Sequence, residues 1–464
     1  MASNIVLIVL DTVRKSSLSN VDTPTMDLLA DEGVVYDHGV APAPWTVPSH
    51  AGMFTGDHLF EHGTTGRNLS FDFDQRSLPA ELNARGYRTV SISNNPFLTN
   101  NFGFDRGFET FFRNNNMLYQ SGFNLNELQA DSSAHRYIET VFRALNHNKP
   151  VHSVANAFHH IVAKTNDDGG DMTVRKFKRL FEATSGPVFG FLNLMEAHAE
   201  YWPPEPYRSR YLPDGIDTSE AQEVEQFHWD YLIGDEEPTE RKKRILRSLY
   251  EGSIAYLDSL LNELVTFLER TDQLDETLLV VVGDHGESLG EQNEFGHVGS
   301  VSERLLHVPF ITHPPGSVES ESVSRPTSLK NVFDIVVKTA DGDEGDINYR
   351  QFAEGPTFAE YTGFHDPGRI EKKYETDIEI RKQGRQVVYW NGYKYIRNKT
   401  TRDELYDLSS SIPEDKSLLD EEPEIASQGR ALIQKHLCDF AVYERKSRGI
   451  NSSVQRELKD LGYI

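Results

Sequence analysis

Cysteine is almost absent from this chain. Its 464 residues hold only Cys438, so no intrachain disulfide framework can form and nothing points to an oxidising compartment. Long apolar runs are missing too. The run Ile5-Val6-Leu7-Ile8-Val9-Leu10 stops at Asp11, too short to span a bilayer and suited to a buried strand. No basic region, hydrophobic segment and cleavage site precede it, so the expectation is a cytoplasmic protein without a membrane span. Basic residues are scarce beside acidic ones. Lys+Arg 47 against Asp+Glu 72 gives a formal net charge of -25, which argues against nonspecific binding to nucleic acid or anionic membrane. Internal repeats and long tails of disordered composition are also absent.

What is present is alternation. Apolar runs at Ile5–Leu10, Tyr87–Ile92, Val188–Asn193, Leu278–Val282 and Phe310–Thr312 read as strands. Between them, Thr23–Glu32, Leu78–Arg85 and the long Arg241–Arg270 carry helical spacing. The pattern predicts an α/β fold with a mostly parallel sheet sandwiched by helices. From about Asn114 to Gly186 the alternation lapses, through Ser132–Leu145, a His159-His160 helix and the polar Thr165–Asp171 link. This stretch reads either as an insertion near the site's mouth or as a helical layer on the sheet. After residue 315 the pattern changes again. Asn391-Gly392 between Gln386–Trp390 and Tyr393–Ile396 is a hairpin signal. The expected division is therefore 1–315 for the larger domain and 316–464 for a smaller α+β portion with a short antiparallel sheet.

Each longer strand ends in polar residues: Asp11, Asn94-Asn95, Glu196 with His198, and Asp284-His285. Ligand sites in open α/β sheets lie beyond the carboxyl ends of strands, so these clusters are expected to converge. Val280-Val281-Val282-Gly283-Asp284-His285-Gly286-Glu287 runs a buried-type strand into an acid and an imidazole that can reach one divalent cation. Asp11 follows six apolar residues in the same way, and a buried carboxylate needs a partner or a metal. In Trp45-Thr46-Val47-Pro48-Ser49-His50, Pro48 suits the first turn of a helix, with Thr46 just before it. Thr46 then reads either as an N-cap or as a hydroxyl near backbone N–H groups that suit an anion.

Thr46-Val47-Pro48-Ser49-His50, followed by Thr55-Gly56 and His62-Gly63, resembles the signature of the sulfatase branch of the alkaline phosphatase superfamily. So do Leu7–Asp11, Gly103–Glu109, Tyr250–Asp258, Gly283–Glu287, Glu404–Leu408 and the terminal Leu458–Ile464. The resemblance implies an alkaline-phosphatase-like fold and ester cleavage. Sulfatases oxidise a Cys or Ser at the first signature position to formylglycine; here that residue is Thr46, so formylglycine is not available there. Threonine is the nucleophile in phosphodiesterases and phosphoglycerol transferases of the same superfamily, which moves the expectation toward phosphate esters.

The resemblance further implies one divalent metal on Asp11, Thr46, Asp284 and His285. A histidine ligand favours manganese or zinc over calcium. It makes His198 a general acid or oxyanion stabiliser, and His297 a substrate or leaving-group residue or a ligand of a second metal. His50, Asn94 and Glu196 are the expected substrate contacts, on a small-molecule, glycan or lipid-headgroup ester. The rival expectation is a catalytically silent member that binds an anionic glycan or lipid headgroup.

Overall fold

The computed structural model describes residues 2–66, 68–71, 76–113, 168–224, 226, 237–297, 299–316, 319–342, 347–363, 383–409, 414–440 and 442. Its centre is an eight-stranded sheet. The strands are β1 (Asn4–Leu10), β2 (Val34–Tyr36), β3 (Arg88–Ser93), β4 (Thr110–Arg113), β5 (Val188–Leu194), β6 (Thr277–Gly283), β7 (Phe310–His313) and β8 (Glu321–Val323). They lie in the order β8-β2-β7-β6-β1-β5-β3-β4. Only β7 runs against its neighbours; the other pairs are parallel.

Why the sheet sits at the centre is visible in β1, which is buried along its whole length. Alternation sends Ile5, Leu7 and Val9 into one core and Val6, Ile8 and Leu10 into another. The first core also takes Val47, Ala51 and Phe54 from the helix Thr46–Thr55, and Val332 and Phe333 from the helix Asn331–Ala340. The second takes Val174 and Phe177 from the helix Gly170–Glu182, and Leu249, Leu257 and Leu261 from Glu240–Arg270. Helices therefore cover both faces, as a buried parallel sheet requires. None of the described helices is long and apolar enough to cross a membrane.

The smaller sheet is an antiparallel meander of β9 (Thr357–Tyr361), β10 (Arg385–Trp390), β11 (Tyr393–Asn398) and β12 (Glu404–Asp407). Asn391 and Gly392 turn the β10–β11 hairpin with φ of 46° and 83°, the left-handed pair of a type I′ turn. Helix Pro423–His436 packs Ile433 against the Trp390 and Tyr395 face.

Past residue 315, β8 pairs with the large sheet, and the helix Asn331–Ala340 packs in a core that also takes Tyr361 and Tyr389 from the smaller sheet. The Gly170–Glu182 end of the irregular stretch is a helical layer on the sheet. The expected elements at Ser132–Leu145 and His159-His160, and the Leu458–Ile464 segment, lie outside the described residues.

Candidate active site and metal centre

The carboxyl ends of the adjacent strands β1, β5 and β6 supply the site. Asp11 follows β1, Asp284 and His285 follow β6, and Thr46 begins the buried helix Thr46–Thr55. Trp45 is that helix's N-cap, so Thr46 is its first helical residue, not the cap. The Thr46 Oγ1 lies 3.3 Å from His285 Nε2, and the dipole's positive end faces the same spot. Oxygens of Asp11 and Asp284 and a ring nitrogen of His285 all lie within 4.8 Å of one another.

How the two carboxylates are held favours a cation. Asp11 Oδ2 accepts from the amides of Asn95 at 2.8 Å and Asn193 at 3.2 Å. Asp284 Oδ1 accepts from the backbone N–H of Thr12 at 3.1 Å and of His285 at 2.9 Å. Each acid thus has one oxygen fixed, while Asp11 Oδ1 and Asp284 Oδ2 are buried without a hydrogen-bond partner. The His285 Nδ1–H donates to the Gly286 carbonyl at 2.9 Å, which leaves the Nε2 lone pair facing Thr46 and Asp284. Fixing one imidazole nitrogen so that the other can ligate is a recurrent device of metal sites. Burial, reinforced by Asp11's charge, pushes the Asp284 carboxyl well above its ordinary range. Burial, with His297 nearby, keeps His285 neutral. Two desolvated acids and a neutral imidazole fit a divalent transition metal.

Thr12 stitches the strand ends together. It sits at φ 61°, a left-handed conformation that is rare for a β-branched residue. Its Oγ1 donates to the Ala197 carbonyl at 2.5 Å, and its carbonyl accepts from Tyr250 Oη on the long helix at 2.7 Å. Glycine at 286 serves close packing: a Cβ there would collide with the Arg304 carbonyl oxygen.

Three histidines form a row beside the carboxylates. The rings of His285 and His297 are 4.6 Å apart, and those of His297 and His198 5.5 Å. The His297 Nδ1 is 3.1 Å from Glu287 Oε1. Burial would lower the His297 pKa, yet the Glu287 carboxylate overrides it and raises the imidazole above its ordinary value. Glu287 is itself positioned by Tyr201 Oη at 3.2 Å. Arg14 reaches the Glu287 carbonyl at 3.0 Å and pairs with Glu291 at 2.9 Å.

The expected substrate contacts sit differently. His50 is wholly buried, with Nδ1–H donating to the Thr46 carbonyl at 2.9 Å and lying 3.6 Å from Asp284. Burial lowers its pKa to about 4, so it braces Thr46 and Asp284 as a neutral ring and offers an anion no charge. Glu196 accepts from the Gly170 N–H at 2.6 Å and thereby supports a helix start, while the Asn94 amide donates to the Asp168 carbonyl. The expected metal group Asp11, Thr46, Asp284 and His285 is brought together, and His198 and His297 stand beside it. From the sequence, Asn95 stood out only within a polar cluster and Glu287 only within a motif, while Asn193 and Arg14 carried no site role.

A family model described as Sulfatase matches residues 3–342. An arylsulfatase of Clostridium perfringens is 22% identical over 377 residues, covering 74% of this chain and 73% of that protein. The N-acetylglucosamine-6-O-sulfatase of Bacteroides thetaiotaomicron is 20% identical over 432 residues, covering 81% and 70%. Among solved structures, the phosphonate monoester hydrolase of Agrobacterium radiobacter superposes with a TM-score of 0.66 at 18% identity, covering 96% of each chain.

Proposed function

The chain belongs to the sulfatase family, and from that premise we propose that it is a metal-dependent hydrolase or transferase cleaving a phosphate ester through Thr46. The observation that carries the reading is the Thr46 hydroxyl 3.3 Å from His285 Nε2, beside two buried carboxylates that each keep one oxygen unpartnered. Sulfate is the substrate class of the two named relatives. Threonine at position 46 favours phosphorus instead, because a threonine side chain cannot become formylglycine.

A divalent cation on Asp11, Asp284 and His285 would lower the pKa of a neighbouring hydroxyl and neutralise an anionic substrate oxygen. Thr46 gives its hydroxyl proton to solvent and forms the new oxygen–phosphorus bond as the bond to the alcohol breaks. His297, whose pKa the Glu287 carboxylate raises, is suited to give the departing alkoxide its proton, with His198 beside it. Water or an acceptor alcohol then attacks phosphorus as the now neutral His297 takes its proton, and Thr46 leaves with its oxygen, which solvent reprotonates. His50 and the Asn95 and Asn193 amides hold the acids and the nucleophile's helix in register.

The test is turnover of an aryl phosphate monoester, an aryl phosphate diester and an aryl sulfate with manganese, zinc or calcium. Wild type is expected to prefer a phosphate ester, and Thr46→Ala to lose turnover while keeping its circular dichroism and bound metal. Full activity in Thr46→Ala would overturn the nucleophile, and preference for the sulfate would overturn the phosphorus assignment.

A further inference from the structure

A second group of ligand-type side chains lies at a small three-stranded sheet of Gly39–Val40, His307–Val308 and Thr327–Ser328, beside β10 and β11. His38 precedes the short strand Gly39–Val40, which pairs antiparallel with His307–Val308. Glu303 lies one helical turn before His307. The two imidazoles stack with centroids 4.2 Å apart. Glu303 Oε2 is 3.0 Å from His38 Nε2 and 4.0 Å from His307 Nδ1. One ligand atom from each residue lies within 4.8 Å of the other two.

Both outer contacts orient these groups toward a shared point. The His307 Nε2–H donates to the Asp37 carbonyl at 2.9 Å, so its Nδ1 carries the lone pair that faces Glu303. The other Glu303 oxygen, Oε1, is taken by Lys394 Nζ at 2.9 Å and Tyr389 Oη at 2.7 Å, which turns Oε2 toward the imidazoles. Such secondary hydrogen bonds fix the tautomer and direction of metal ligands. Around a tetrahedral ion with bonds of about 2.1 Å, ligand atoms stand roughly 3.4 Å apart, between the two distances seen here. All three side chains are partly exposed, leaving access for an ion and for water as a fourth ligand.

We propose that His38, Glu303 and His307 form a second metal site, for a zinc-class divalent ion. Two imidazoles and one carboxylate oxygen suit zinc or cobalt and not calcium or magnesium, which prefer all-oxygen shells. Through Lys394 and Tyr389, Glu303 is joined to β10 and β11, so the ion ties the smaller sheet to the larger unit. It shares no residue with the Thr46 site, and its occupancy does not depend on what that site cleaves.

The full chain, stripped with chelator and dialysed against zinc, is expected to hold two equivalents by elemental analysis. The pair His38→Gln with His307→Gln should hold one, and Asp284→Asn should keep the one at the junction. Loaded with cobalt(II), Asp284→Asn should give a visible ligand-field spectrum that the added histidine substitutions remove. If the double histidine variant binds as much zinc as wild type with unchanged affinity, the site is refuted. If that variant does not fold, Asp284→Asn decides alone: one equivalent upholds the junction site, and none overturns it.

Discussion

The two groups of donors, one beyond β1 and β6 and one at the junction of the sheets, differ in what balances their carboxylates. Asp11 and Asp284 are buried together, and among the described residues only histidines come within ion-pair distance of Asp284. Burial and Asp11's charge therefore drive the Asp284 carboxyl upward. At the junction, burial pushes Glu303 the same way, but Lys394, with His38 and His307, overrides it and holds the carboxyl well below its ordinary range. The first group is electrostatically incomplete without a cation. The second carries its own counter-charge and can stand with or without one. On the proposed reading, a metal would complete the charge balance in one place and would be an added tie in the other.

Removing an acid from the incomplete group should expose that difference most sharply. Asp284→Asn relieves the repulsion with Asp11, so metal-free protein is expected to melt higher than metal-free wild type. The same variant should lose the rise in melting temperature that metal gives wild type at this site, and turnover should fall roughly 10^3-fold or more, the scale of losing a transition-state charge stabiliser. Melting curves with and without chelator, beside the ester assay, check both. An Asp284→Asn protein less stable than wild type when metal-free would break the comparison.

At the junction the weak point is the lysine. Lys394 is fully buried between Glu303 at 2.9 Å and Glu414 at 2.6 Å. Lys394→Met leaves two carboxylates facing each other without a cation, and breaking a buried pair in this way costs roughly 3–5 kcal/mol. Urea unfolding of chelated protein measures the loss. Zinc is then expected to restore more stability to Lys394→Met than it adds to wild type, because the junction has become an incomplete group like the first. Equal gains in the two proteins would show that Lys394 was not what balanced Glu303.

Much of this was legible in the chain and some was not, for physical reasons. Strands β1 and β6 hold unbroken apolar runs, Ile5–Leu10 and Leu278–Val282, because both their faces are covered, and Asp11 and Asp284 stand out just beyond them. Strands β2 and β8 pair with each other at or next to the sheet's edge, and Glu321-Ser322-Val323 has no apolar run to find. Asn95 follows Asn94 directly, and spacing alone does not say which of two adjacent amides turns toward Asp11. Asn193 did leave a signal: a polar residue inside an apolar strand must find a partner when buried. His38 is remote in sequence from Glu303 and His307, so only the i,i+4 spacing of the latter two was visible.

Between the two extremes stands the Glu287–His297 pair, one buried acid matched by an imidazole whose charge is optional. Glu287 overcomes burial and raises the His297 pKa above its unfolded value of about 6.5. A raised histidine contributes stability that is fully present below the unfolded pKa and is lost as pH rises through the folded one. Glu287→Gln should therefore cost most in mild acid and least in alkali, which a pH series of melting temperatures reads. The same substitution removes the charge that raises the His297 pKa, so the alkaline limb of the pH–rate profile is expected to move to lower pH. This is the smallest of the effects and the most specific. A limb that stays in place while the acid-side stability falls would leave Glu287 as a structural partner and hand the leaving-group proton to His198.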